Sequence, residues 1–299
     1  MSQVARDLGQ EELSPEARIK KLAREAGALV VGIASVADIN RFAPKGHRPN
    51  DMLRGARSVI VTGGKPNTAG AFESPEPRLL TSLRTYPAIR KAIVMKIAAH
   101  IEERYGHPSI FYDGGTVWGL VPHMSLKLAA ERAGLGTRSL AGGVILNPIH
   151  GLLNLSVTIT TMPLEADAPL DTPVCPHPAC VEIWARERTT PCLSACPECL
   201  EGELENGSVK WMRYKAYLCQ ARARGQGPLG LQKMLYEILQ EKDPEQQKLL
   251  VFGERFTRLI ASASFSSELV AGCYECLRPC PLLAPNRRAG SGAAKTSGV

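Results

Sequence analysis

The chain has 299 residues, 44% of them apolar and 22% charged, which is a globular balance on a length that can bury a full core. Lys and Arg number 36 against 29 Asp and Glu, and the net charge of +7 is compatible with an acidic or nucleic-acid partner without demanding one. No apolar run reaches the roughly 18 residues of a membrane span, and the opening MSQVARDLGQEELS has no apolar signal region. The expectation is a cytoplasmic chain with no membrane partner.

Ser14-Pro15-Glu16 reads as a helix start, with Ser as N-cap and Pro at the first helical position, for a helix running to about Ala26 before Gly27. Residues 28–34 and 57–63 are short, nearly continuous apolar runs, expected as buried strands. The turn-rich stretch 43–49 separates them as a loop. A further loop is expected over 65–77 and a long helix over about 79–105, interrupted near Pro87. Residues 109–112 read as a strand, followed by the loop Asp113-Gly114-Gly115. Met124, Leu128 and Ala129 have helical spacing in a helix over 123–133 that Gly134 ends, and 144–146 and 153–161 read as two more strands.

From Asp171 cysteine and proline rise and strand signals vanish, which puts a domain boundary near 165–172. The reading is an α/β (α+β) domain over 14–170 and a second domain over 171–285 with a helical insert. One or two helices are expected over 228–247 and another over 249–271, with a disordered tail over 286–299.

All nine cysteines lie at or beyond residue 175. An odd count in a reducing compartment argues against a disulfide framework, and clustered thiols point to metal. Cys273-x2-Cys276-x3-Cys280-Pro281 and Cys192-x3-Cys196-Pro197 follow the pattern of two-cluster ferredoxins, in which the last cysteine of each run ligates the other cluster. The expected ligands of two 4Fe–4S clusters are Cys175, Cys180, Cys192, Cys196, Cys219, Cys273, Cys276 and Cys280, with Cys199 surplus. The crossing rule groups Cys175, Cys180 and Cys192 with Cys280, and Cys219, Cys273 and Cys276 with Cys196. Cys175-x4-Cys180 departs from the tight C-x2-C spacing. The alternative is one tetrahedral zinc site from Cys192, Cys196 and Cys199 with Cys175 or Cys180, although zinc has no need of a proline after the cysteine.

Three stretches together resemble the epoxyqueuosine reductase and reductive dehalogenase superfamily. They are residues 27–34 with Gly46-His47-Arg48-Pro49 and 56–61, the Ala133-Gly134-Leu135-Gly136 string with Asn147-Pro148, Gly151 and 161–167, and the paired Cys-Pro motifs. The resemblance covers roughly 15–285. It implies a nitroreductase-like cobalamin-binding domain followed by a ferredoxin-like two-cluster iron–sulfur domain, acting as a cobalamin-dependent reductase. It further implies a corrinoid site over 113–151, with Gly134, Leu135, Gly136, Arg138, Gly142, Asn147 and Gly151 as cofactor-binding residues. Glycines let a backbone approach a flat macrocycle, and they equally serve caps and turns. The implied partners are a small-molecule or modified-nucleoside substrate and an external low-potential electron donor.

The chain departs from the pattern at several points. The family's catalytic aspartate falls where this chain has Leu120-Val121-Pro122, and its Gly-Lys after AGLG is Arg138-Ser139. No helical-repeat module for holding tRNA, no twin-Arg leader and no D-x-H-x-x-G string for a histidine on cobalt occur. Reduction at carbon needs a proton source near the cofactor, and Tyr112, Asp113 and His123 are the candidates, with His47 a weaker one. Their ordinary alternatives are a core tyrosine, a turn aspartate and a capping or solvated histidine. Gly225-Gln226-Gly227-Pro228-Leu229-Gly230 matches a dinucleotide string but follows no strand, so it reads as a linker. Arg213, Lys215, Arg222 and Arg224 make either an RNA patch or a solvated face. Two further readings stay open: a two-cluster electron-transfer protein without corrinoid chemistry, and a zinc-stabilised interaction protein.

Overall fold

The computed structural model describes residues 13–65, 86–112, 116–118, 121–216, 218–219, 227–263 and 276–283. Ser14 caps α1 (Pro15–Glu25) by accepting from Ala17 N at 3.2 Å, with Pro15 in the first turn. β1 (Val30–Ser35) leads into α2 (Val36–Phe42), then the single turn α3 (Pro49–Met52) and β2 (Ser58–Gly64). α4 (Tyr86–Tyr105) and β3 (Ser109–Tyr112) follow, then the short strands β4 (Thr116–Trp118) and β5 (Val121–Pro122). α5 (Leu126–Arg132) starts three residues later than the sequence suggests, because Ser125 takes the cap by accepting from Leu128 N at 3.2 Å. The small sheet β6 (Thr137–Arg138), β7 (Ile145–Asn147) and β8 (Gly151–Leu152) precedes the long strand β9 (Asn154–Thr160).

The main sheet runs in the order β1-β2-β9-β3, and every neighbouring pair is antiparallel. Apolar residues occupy both of its faces, which is why the strands read as continuous runs rather than alternations. Ile33 and Ile60 face Ile19 and Ala23 of α1 and Ile93, Ile97 and Ile101 of α4. Val59, Val61, Val157 and Ile159 face the other way, onto Val36 and Ile39 of α2 and Leu128 and Ala129 of α5. The period of two along each strand divides the core into these two layers.

The chain leaves the sheet through a pinned segment. Asp167 N donates to Ile33 O, Ile33 N donates back to Asp167 Oδ2, both at 2.8 Å, and Lys20 of α1 pairs with Asp167 Oδ1 at 2.6 Å. Beyond it lie α6 (Pro178–Glu187), α7 (Pro191–Ala195) and a hairpin of β10 (Leu200–Glu205) and β11 (Ser208–Tyr214). The hairpin corrects the expectation that strands end before residue 171. Leu200 and Leu204 point inward while Glu201, Glu203 and Glu205 alternate with them, and glutamate-rich strands carry little β propensity. The overlooked signal was the Asn206-Gly207 pair, at φ 51° and 75°, a two-residue hairpin turn.

The helical insert is α8 (Gly227–Gln240), α9 (Pro244–Phe252) and α10 (Glu254–Ala263), so the stretch 228–247 holds two helices split before the Asp243 cap. A 3-10 turn covers Pro281–Leu283. The loop over 66–77, the first turns of the helix expected from 79, the 264–271 end of the last helix and the 286–299 tail lie outside the described residues. Among the described residues no helix is long and apolar enough to cross a membrane.

β1 and the end of α5 meet at Gly32, where an added Cβ would lie 2.3 Å from Ala133 O and 3.0 Å from Leu135 Cδ2. Gly32→Ala should cost about 1–3 kcal/mol of stability, since a backbone oxygen cannot move aside as a side-chain end can. Denaturant unfolding measures it, and an unchanged midpoint would contradict the close approach of α5 to β1.

Candidate metal centre

Cys175 lies in irregular chain ahead of α6 and Cys180 in the first turn of that helix, whose N-cap His177 accepts from Ala179 N through Nδ1 at 3.2 Å. Cys192 lies in the first turn of α7, held there by Pro191, and Cys196 is the cap residue at its end. Cys280 enters the 3-10 turn, its carbonyl accepting from Leu283 N at 3.1 Å. Cys175, Cys180, Cys192 and Cys280 line one cavity, walled also by Ser139, Leu140, Ala141 and Leu282. The cavity itself is small, about 10 Å³, room for roughly one water. These are the four cysteines that the crossing rule groups together.

None of the eight described cysteines is in a disulfide, and each is at most 9% exposed. Burial pushes the Cys175 thiol up to about 11 and Cys280 up to about 12, and it raises Cys180 and Cys192 as well. The charge of the neighbouring thiols adds to the rise at each of the four. A ligating cysteine must lose its proton, and a cationic centre in the cavity would supply the charge that makes four thiolates tolerable there.

Cys196, Cys199, Cys219 and Cys276 are buried in the same core. Cys199 N donates to Cys196 O at 3.1 Å, Lys215 N to Cys199 O at 2.8 Å, and Cys219 N to Lys215 O at 3.0 Å, which ties three of these cysteines into one backbone network. Cys199, surplus in the sequence reading, is as buried as the others, and Cys273 lies outside the described residues. Among the described residues no group of three or more His, Cys, Asp or Glu is arranged to hold a metal ion. Cys175, Cys180, Cys192 and Cys280 share the lining of one cavity, which makes their thiols the candidate donor set for a metal centre.

The glycine-rich segment forms one wall of this centre. Leu140, Ala141, Val144, Leu146 and Leu152 share a core with the cysteines. The residues that the resemblance places around a corrinoid are committed to the chain's own fold. A Cβ on Gly134, at φ +68°, would meet Ala168 O at 2.3 Å, and one on Gly136 would meet Leu146 O at 2.4 Å. Leu135 is buried between α5 and the main sheet. Asn147 Nδ2 donates to Leu135 O at 2.8 Å while its Oδ1 accepts from Ile149 N and His150 N, both at 2.9 Å. Arg138 Nε donates to Glu131 Oε2 at 2.8 Å, and Gly142 and Gly151 serve turns at φ 68° and 69°.

Of the proton-donor candidates, Tyr112 is buried at the end of β3, and its ring stands edge-on to that of exposed His123 at 5.9 Å. His47 Nδ1 lies 2.8 Å from Pro122 O, so the loop before α3 holds the residue preceding His123. Asp113 lies outside the described residues. In the basic group, Arg213 and Lys215 both pair with Glu201, while Arg222 and Arg224 lie outside the described residues.

No protein-family model matches the chain, and no curated protein matches it in sequence. Solved structures do match. An epoxyqueuosine reductase from Bacillus subtilis is 16% identical with a TM-score of 0.50, the match covering 89% of this chain and 64% of that one. This chain has the epoxyqueuosine reductase fold. An epoxyqueuosine reductase from Streptococcus thermophilus is 16% identical, covering 91% of this chain and 67% of that one at a TM-score of 0.48. The catabolic reductive dehalogenase NpRdhA, in complex with 3-bromo-4-hydroxybenzoic acid, is 21% identical, covering 90% of this chain and 37% of that one at a TM-score of 0.49. The chain thus spans 64% and 67% of the length of these two reductases and just over a third of the dehalogenase.

Within the epoxyqueuosine reductase fold, one residue that sequence reasoning passed over stands where the two halves meet. Lys127 of α5 donates from Nζ to Gly142 O at 3.0 Å and lies 5.8 Å from the centre of the Tyr214 ring in β11. A lone lysine between Leu126 and Leu128 was the available signal. Burial, followed by the positive charge of Arg138, pulls its amine down to about 8, against the opposing pull of Glu131 and Cys276. The unfolded chain therefore holds more protons than the folded one between about pH 8 and the ordinary lysine range, and this residue's contribution to stability rises with pH across that window. In anaerobic thermal unfolding at matched pH, the gap between wild type and Lys127→Met should shift in favour of wild type as pH climbs through it. A gap that stays constant would contradict the enclosed amine.

Proposed function

We propose that this chain is an iron–sulfur oxidoreductase, a reductase on the epoxyqueuosine reductase fold. Cys175, Cys180, Cys192 and Cys280 hold one 4Fe–4S cluster, and Cys196, Cys219, Cys273 and Cys276 hold the second. The observation that carries this reading is the set of four buried thiols, drawn from three separate stretches of chain onto one cavity. Such clusters, when bound, pass single electrons at potentials set by burial and by hydrogen bonds to sulfur. The chain supplies both controls. Leu140, Leu277 and Leu283 keep water from the sulfurs, and the backbone amides of Leu140, Leu193 and Leu282 favour the thiolate at Cys175, Cys192 and Cys280.

An external low-potential donor fills the clusters, and the α/β half takes a small molecule or a modified nucleoside as substrate. Tyr112 and His123 hold the proton for that reduction. His123 is exposed and exchanges protons with solvent, Tyr112 lies buried against its ring edge, and His47 fixes the backbone that carries His123.

A corrinoid, when bound, supplies reductive chemistry at carbon. The residues expected to line it are occupied by internal contacts. That occupation favours a second reading, a two-cluster electron carrier without corrinoid chemistry.

Anaerobic reconstitution should load about eight irons and about eight sulfides per chain. Cys280→Ser should lose about half of the iron, and Cys199→Ser should keep all of it. Stoichiometric zinc without iron would overturn the assignment. Cobalamin titration of the loaded protein then separates the two readings: saturable binding identifies the corrinoid reductase, and no binding identifies the electron carrier.

A further inference from the structure

Three polar side chains other than the cysteines line the cavity; Ser139 turns to Ala141 O and His177 to Ala179 N, whereas Thr190 turns to a ligand sulfur. Thr190 immediately precedes α7 and is 1% exposed. A threonine in that position ordinarily turns its hydroxyl onto a backbone amide of the first turn. Thr190 makes no such bond, and its Oγ1 lies 3.3 Å from Cys192 Sγ. A buried hydroxyl must find a partner, and here the partner is the sulfur. The helix start survives without the cap, because Ser194 N still donates to Thr190 O at 2.9 Å, and Thr189 Oγ1 and Ser194 Oγ pair at 2.9 Å.

In the free protein either group can donate across this contact. Once Cys192 ligates iron its sulfur has no proton, and only the hydroxyl can donate. The bond then acts on whatever negative charge the sulfur carries. Reduction adds an electron to the cluster and its thiolates, so a donor at the sulfur stabilises the reduced state more than the oxidised one and raises the potential.

We propose that Thr190 is a positioning residue of the cluster held by Cys175, Cys180, Cys192 and Cys280: its hydroxyl donates to Cys192 Sγ and raises the potential of that cluster, leaving the other cluster's potential unchanged. The inference rests on the cluster reading given above. The other donors near these sulfurs are backbone amides, which no substitution removes without disturbing the chain. Thr190 offers a donor that can be deleted cleanly. Its backbone, at φ −131° and ψ 161°, is extended and suits valine as well as threonine.

The test is an EPR-monitored redox titration of anaerobically reconstituted wild type, Thr190→Val and Thr190→Ser, with iron and sulfide measured on the same samples. The valine variant should keep wild-type iron and show one cluster at a lower midpoint potential with the other unmoved. The serine variant, which keeps the hydroxyl, should titrate with wild type. Valine at the wild-type potential, or valine and serine shifted alike, overturns the proposal. If valine sheds iron, Thr190→Ala removes the hydroxyl with less bulk and is read the same way; loss of iron in both variants assigns Thr190 a purely structural role and overturns the proposal too. Absence of any iron–sulfur signal in wild type would instead defeat the cluster reading, whereas two intact clusters with an unmoved valine variant defeat only this inference.

Discussion

Four thiols placed around one cavity govern the C-terminal half of this chain. Cys175, Cys180, Cys192 and Cys280 come from an irregular segment, two short helices and a 3-10 turn, with a hairpin and three helices intervening between Cys192 and Cys280. Protonated, a buried cysteine behaves as a small apolar group, and the surrounding Leu193, Leu200, Leu277 and Leu283 pack around the sulfurs accordingly. Deprotonated, four thiolates in that space would repel one another, and the proposed cluster would offset that repulsion; its loading would then be coupled to folding, because the ligands must lose their protons and come together to bind.

The same constraint explains the glycine-rich segment. Read alone, its glycines suggest room for a flat ligand. In the fold that room is filled by the chain itself: Ala168 O stands against Gly134 and Leu146 O against Gly136. Close backbone packing lets Ser139, Leu140 and Ala141 reach the sulfur cavity and form its wall. The α/β half therefore does more than sit beside the cysteines. Lys127 extends the connection, joining α5 to the Gly142 carbonyl and to the Tyr214 ring.

The central strands were legible because sheets covered on both faces need unbroken apolar runs, and residues 30–35 and 58–64 have them. The first helix was legible because Ser14-Pro15 is a strong local start. The hairpin at 200–214 was not, since its register depends on Asn206-Gly207 and on two leucines among glutamates, in a region that cysteine and proline dominate. The candidate ligands could be picked from spacing, but the role of Thr190 could not. It depends on a hydroxyl turned away from the helix it precedes, and one residue's sequence does not show that choice. Lys127 was obscured for a similar reason, because its partners come from residues 142 and 214.

If the proposed four-iron centre occupies the cavity lined by Cys175, Cys180, Cys192 and Cys280, an anaerobic crystal structure with data collected across the iron absorption edge will show iron anomalous density there with all four sulfurs bound to it, and a second iron centre beside Cys196, Cys219 and Cys276. A single zinc ion on some of these sulfurs, or disulfides joining them, would contradict it.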